Sequence, residues 1–147
     1  METINFEKLT EEERNLVETA IKAREYAYNP ETGRLHGAAV LTFSGKVFPG
    51  SNFYSSASQL NVCAERAAVL CANSSGSRDI KTVAVVGDEG NLLTPCGICR
   101  QFFFGLTEIT GRDIEVICVN KDKSEIIKTS ILELFPFPYS DNSSHRG

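Results

Sequence analysis

Cys63, Cys96 and Cys99 are the residues of this chain whose type and spacing speak most directly of chemistry. They stand in two short runs, Cys63-Ala64-Glu65-Arg66 and Pro95-Cys96-Gly97-Ile98-Cys99-Arg100-Gln101. Three thiolates with one carboxylate beside them suit a catalytic zinc better than a structural one, because one coordination position is left for water. Glu65 is tethered too tightly next to Cys63 to be a comfortable fourth ligand. It is then the group that takes and returns a proton of that water. Both runs fall where helices should begin, and free N–H groups at a helix start favour the thiolate that a metal needs. Three thiolates on a dication leave a net negative site, so a cation should stand close, and Arg66 and Arg100 are the candidates. His36 is an uncommitted imidazole that could supply a fourth ligand, although a histidine before Gly37-Ala38 more often packs or hydrogen-bonds.

Other readings of the same residues stay open at this level. Cys96-Gly97-Ile98-Cys99 taken alone has the spacing of a redox pair, which would give a metal-free chain with a disulfide. A zinc-stabilised domain that only binds a ligand or a partner is a second, but it gains nothing from an unliganded Glu65. The remaining cysteines read as bystanders. Cys71 lies about 12 Å beyond Cys63 along the same helix, and Cys118 alternates with Ile114 and Val116 as a buried strand residue would.

The elements that must position these groups can be traced along the chain. Thr10 and Glu13 form a capping box, and Leu16, Val17, Ala20, Ile21, Ala27 and Tyr28 recur at helical spacing until Asn29-Pro30. Residues 38–43 read as a strand, with Ser44-Gly45 as a hairpin turn into Lys46-Val47-Phe48. A polar stretch from Ser55 to Ser58 leads to Cys63, and helix formers run from Ala64 to Ala72. Residues 82–86 make a buried strand, and Asp88-Glu89-Gly90-Asn91 turns the chain toward Pro95. A helix opening near Cys96 carries Phe102, Phe103 and Phe104, an aromatic run expected in the core and at a subunit contact. Strands at 114–119 and 126–129, a short helix at 130–135 and a polar tail with His145 complete the chain. Strands interleaved with helices predict one α/β layered domain with about five strands, spanning residues 1–140 and followed by a tail at 141–147.

Composition narrows the function. The chain has 147 residues, a net charge of −4 and no basic stripe, which argues against a nucleic-acid partner. No apolar run approaches the length of a membrane span, and nothing resembles a signal peptide. Five cysteines, an odd count, fit a secreted disulfide scaffold poorly. The expectation is a cytoplasmic protein with reduced thiols.

At Gly37-Ala38-Ala39, 45–48, Gly50-Ser51-Asn52, 62–66 and 95–101 the chain resembles the cytidine deaminase family, over nearly its whole length. The three-cysteine site resembles the small, homotetrameric branch. The resemblance implies a three-layer α/β/α sandwich on a mixed sheet, with Zn2+ bound by Cys63, Cys96 and Cys99 and Glu65 as the catalytic acid/base. It implies that Arg66 partly neutralises the thiolates, that Gln101 lies by the metal's water, and that Ala64 and Asn52 contact the pyrimidine and the ribose. The implied reaction replaces the C4 amine of a free cytosine nucleoside by oxygen, with loss of ammonia.

Two positions depart from that pattern. Members acting on cytidine usually read Asn-x-Glu-Asn-Ala at the sugar site, where this chain reads Asn52-Phe53-Tyr54-Ser55-Ser56. The family reads Phe-x-Val-Gly-Ala-Ala, its phenylalanine packing near the pyrimidine, where this chain has Arg34-Leu35-His36-Gly37-Ala38-Ala39, so Arg34 replaces that phenylalanine. Tyr54 is similar to the residue of blasticidin S deaminase, a relative acting on a cytosine nucleoside with a modified sugar, and Tyr139 matches its short aromatic ending. Its Gly-Gly-Pro-Cys is absent. Tyrosine in place of the sugar-binding glutamate predicts weaker discrimination among sugars. Arg34 reads as a solvated cation, or as one at the cavity mouth that favours an acidic substituent.

Overall fold

The computed structural model describes residues 1–88 and 92–141. The expected turn at Glu89-Gly90-Asn91 and most of the polar tail, His145 included, lie outside those residues.

Helix α1, Glu11–Arg24, opens on the reciprocal box foreseen: Glu13 N–H donates to Thr10 Oγ1 at 3.1 Å and Thr10 N–H to Glu13 Oε1 at 3.0 Å. Leu16, Val17, Ala20 and Ala23 form its buried stripe. It ends at Arg24, earlier than Asn29-Pro30. Tyr28 is drawn out of the helix by the loop that leads to the site, its N–H donating to Asn52 O at 2.9 Å and its carbonyl accepting from Tyr54 N–H at 2.8 Å.

Among the described residues the sheet has six strands, one more than the approximate five expected. They are β1 Glu2–Thr3, β2 Gly37–Thr42, β3 Val47–Ser51, β4 Ile80–Val86, β5 Glu115–Val119 and β6 Ile126–Ser130, in the order β1-β6-β5-β4-β2-β3. The additional strand is two residues that pair antiparallel with β6, too short and polar to show an alternation. Gly45, at φ +90°, turns the β2–β3 hairpin where expected. Only β4 and β5 pair in parallel, so the sheet is mixed.

Alternation along the central strands sorts two cores. Ala39, Leu41, Ala84, Val86, Ile117 and Val119 face α1. Ala38, Val40, Val83, Val85, Val116 and Cys118 face α2 (Ala64–Ser74), α3 (Gly97–Thr110) and the short α4 (Ile131–Leu134). This is the three-layer α/β/α sandwich. Phe103 and Phe104 are buried in the second core and Phe102 packs against it, so the aromatic run serves the interior and is no exposed patch. Among the described residues no helix is long and apolar enough to cross a membrane.

Strand direction gathers the site. β3 runs against β2, and β2 against β4, so β3 and β4 leave the sheet at the same edge. The register pairs Gly37 with both Ser51 and Val86, which brings His36, Asn52 and Gly87 into one row there. The chain returns from that edge as α2 and α3.

Candidate metal centre

Each of the two helices begins on a cysteine. Cys63 is the N-cap of α2 and Cys96 the N-cap of α3, both with extended backbone and neither side chain spent on capping its own helix. Cys99 follows in the first turn of α3 and is fully buried. The three Sγ atoms lie within 4.8 Å of one another, and no other His, Cys, Asp or Glu of the described residues joins them. Zinc–sulfur bonds are about 2.3 Å, so this all-sulfur set fits a single zinc ion. His36 stands outside the cluster. Its backbone N–H donates to Asn52 Oδ1 at 2.6 Å, and burial holds its imidazole below the usual histidine range. Cys71 is exposed and outside the cluster, Cys118 is buried in β5, and all five cysteines are free thiols.

Cys63 and Cys99 shift in opposite directions. Cys63 is drawn down to about 5, first by its hydrogen bond with Cys99, then by those with Tyr54 and Arg66, which together outweigh burial. Cys99 is pushed far above the usual thiol range by the same hydrogen bond and by burial. A divalent ion is what would let all three ionise.

Glu65 is 3% exposed, and burial raises its carboxyl to about 7. Arg66 is the cation at the sulfurs, with Nη2 at 4.0 Å from Cys63 Sγ and 3.1 Å from the Asn61 carbonyl. Its Nε is buried without a hydrogen-bond partner among the described residues. Arg100 works elsewhere, donating to Pro95 O at 2.7 Å, Leu134 O at 2.9 Å and Thr94 Oγ1 at 3.1 Å. It ties the loop entering α3 to the end of α4. That role has no sequence signal, because the partners are mostly carbonyls.

The residues expected to meet a substrate have these places. Ala64 is buried in the first turn of α2. Asn52 is 1% exposed, its Oδ1 taken by His36 N–H and its Nδ2 left 3.5 Å from Tyr28 O. Gln101 Nε2 donates to the Tyr139 carbonyl at 2.9 Å, which draws the C-terminal segment toward α3. The Tyr54 hydroxyl lies 3.7 Å from Cys63 Sγ, and burial, then that hydrogen bond, hold its proton above the usual tyrosine range. Tyr54 lines a cavity of about 520 Å³ with Asn29, Glu31, Thr32, Arg34, His36, Ser55 and Asn61. Of these, Glu31, Thr32 and Asn61 escaped the sequence reading, and Asn29 and Ser55 entered it only as a helix stop and as part of a polar stretch, since lone polar loop residues have no pattern. Arg34 is largely exposed, its Nε 4.0 Å from Asp88 Oδ2. A separate cavity of about 320 Å³, lined by Phe104, Arg112 and Leu132 among others, contains none of these groups.

Residues 10–110 match the family model for the cytidine and deoxycytidylate deaminase zinc-binding region. A probable cytidine deaminase of Dictyostelium discoideum is 37% identical over 131 residues, covering 88% of this chain and 85% of its own length. A blasticidin-S deaminase of Bacillus cereus is 28% identical over 97% of this chain and 100% of its own length. The crystal structure of a cytidine deaminase from Burkholderia pseudomallei superposes with a TM-score of 0.78 at 35% identity, covering 89% of this chain and 100% of that one.

Proposed function

The chain belongs to the cytidine and deoxycytidylate deaminase family, and on that premise we propose that it converts cytidine or deoxycytidine to the uracil nucleoside with release of ammonia. It is a zinc-dependent hydrolase with Cys63, Cys96 and Cys99 as the metal's donors. When bound, the dication supplies Lewis acidity that makes water reactive near neutral pH. The observation that carries the reading is the buried Glu65 set beside three sulfurs. A carboxylate buried beside the metal's donors is placed to accept a proton from the attacking water and release it to the departing amine. Arg66 offsets part of the sulfur charge. Ala64 offers backbone to the pyrimidine, Asn52 offers Nδ2 to the sugar, and Gln101 sits beside the reacting water. Residues 1–140 act as one domain, in the cytoplasm, on a free nucleoside and not on nucleic acid.

Tyr54 supports a second reading, a cytosine nucleoside with a modified sugar, because it stands where the family's sugar-binding glutamate would. The test is ammonia release by zinc-replete protein from cytidine, deoxycytidine and blasticidin S side by side. Glu65→Ala should lower turnover by about 10²–10⁴-fold while zinc stays bound, and unaltered turnover would sink the role given to Glu65. Faster turnover of blasticidin S than of cytidine would favour the second reading.

We also propose a homotetramer. Leu60, Ile98 and Phe137 are exposed apolar side chains at or near the ends of the elements that form the site. Light scattering should give about four times the 16.1 kDa of one chain, and a single-chain mass would refute it.

A further inference from the structure

We propose that Tyr54 is a positioning residue for the metal, its phenol O–H donating to the Cys63 sulfur while its ring walls the substrate cavity. The inference rests on the three-cysteine zinc reading and goes beyond it by tying the cavity to the metal through one side chain.

Backbone geometry sets the contact. Phe53 and Val62 exchange both of their backbone hydrogen bonds, each at 3.0 Å, which clamps the two chain segments that carry Tyr54 and Cys63. Tyr54 N–H donates to Tyr28 O at 2.8 Å, and Ser55 N–H to Asn61 Oδ1 at 2.8 Å. The residue is thus fixed on both sides, and its hydroxyl reaches Cys63 Sγ at 3.7 Å. A sulfur that ligates a cation has no proton to give, so the phenol is the donor. The other polar neighbours of Cys63 are Cys99, itself a metal donor, and Arg66, which divides its Nη2 between Sγ at 4.0 Å and Asn61 O at 3.1 Å. Hydrogen bonds of this kind hold a metal's donors in place and tune their basicity.

The position also bears on the sugar. With its hydroxyl directed to the sulfur, Tyr54 presents mainly its ring to the cavity it shares with His36 and Asn61. A carboxylate at this place would face three negative sulfurs and would have to turn away from them.

The test is Tyr54→Phe in the full chain, loaded with zinc and separately with cobalt(II). Competition against a chromophoric chelator should show zinc held about 10–100-fold more weakly. The cobalt–thiolate charge-transfer band should move to lower energy, because the sulfur loses a donor. Unchanged affinity and an unchanged band, with only KM raised, would overturn the proposal and leave Tyr54 as a cavity wall. So would a metal-free Tyr54→Phe chain that no longer folds, since the hydroxyl would then serve the fold. Wild-type protein that takes up neither metal would refute the zinc reading instead.

Discussion

Glu65 and Cys99 are buried beside the half-buried Cys63 and the exposed Cys96, and burial dominates the behaviour of the carboxyl. Burial lifts Glu65 from 4.5 to about 7, so the folded chain holds that proton more tightly than the unfolded one does. Its contribution to stability is fully present below about pH 4.5 and is lost as pH rises through 7. Glu65→Gln has no such proton, and Cys63 is common to both proteins. Metal-free Glu65→Gln should therefore gain on metal-free wild type between those pH values, approaching about 3 kcal/mol. Urea unfolding at a series of pH values measures the difference, and a gap that does not change with pH would show that Glu65 is not held protonated.

At the scale of elements, the site depends on how closely two helices lie on the hairpin. A Cβ at Gly50 of β3 would stand 2.3 Å from both Ala64 O and Ala68 N of α2, and one at Gly37 of β2 would stand 2.2 Å from Ala20 O of α1. These obstacles are backbone atoms, which yield only if the helix moves. Gly50→Ala and Gly37→Ala should each cost roughly 1–3 kcal/mol, the usual scale for overpacking. Their effects on the metal should differ. Gly50→Ala displaces the turn that carries Cys63, Glu65 and Arg66, so zinc affinity should fall. Gly37→Ala displaces α1, which contributes no sulfur, so zinc affinity should hold. Unfolding and metal titration of both variants check this, and equal losses of affinity would count against the division.

For the whole molecule, the metal links parts that the chain keeps far apart. Cys63 comes from the segment after β3, and Cys96 and Cys99 from the segment after β4. An ion that binds only the folded arrangement stabilises it by mass action, about 4 kcal/mol at a thousand times its dissociation constant. A strong chelator should lower the thermal midpoint and slow zinc return should restore it. An unchanged midpoint with zinc removed would mean that the two cores hold the helices together unaided.

Much of this protein was legible in its residues because the signals are local. Thr10 and Glu13 are within one helical turn, Ser44-Gly45 is a self-contained turn, and Cys96, Cys99 and Glu65 are read from short spacings on helix starts. The edge strand Glu2–Thr3 was not legible, because its two residues become a strand only by pairing with Lys128 and Ile127. The end of α1 was misjudged for a related reason: Ala27 and Tyr28 continue the helical spacing, but Asn52 and Tyr54 claim the Tyr28 backbone. Arg66 and Arg100 look alike beside their cysteines, and only packing assigns one to the sulfurs and the other to loop carbonyls. Tyr54 is a substitution in a sugar site when read as sequence. Its reach to Cys63 depends on the Phe53–Val62 bridge, a contact between segments whose pairing is settled only when the chain has folded. Local chemistry was thus determined by the sequence itself, whereas the direction of each side chain was decided by partners distant along the chain.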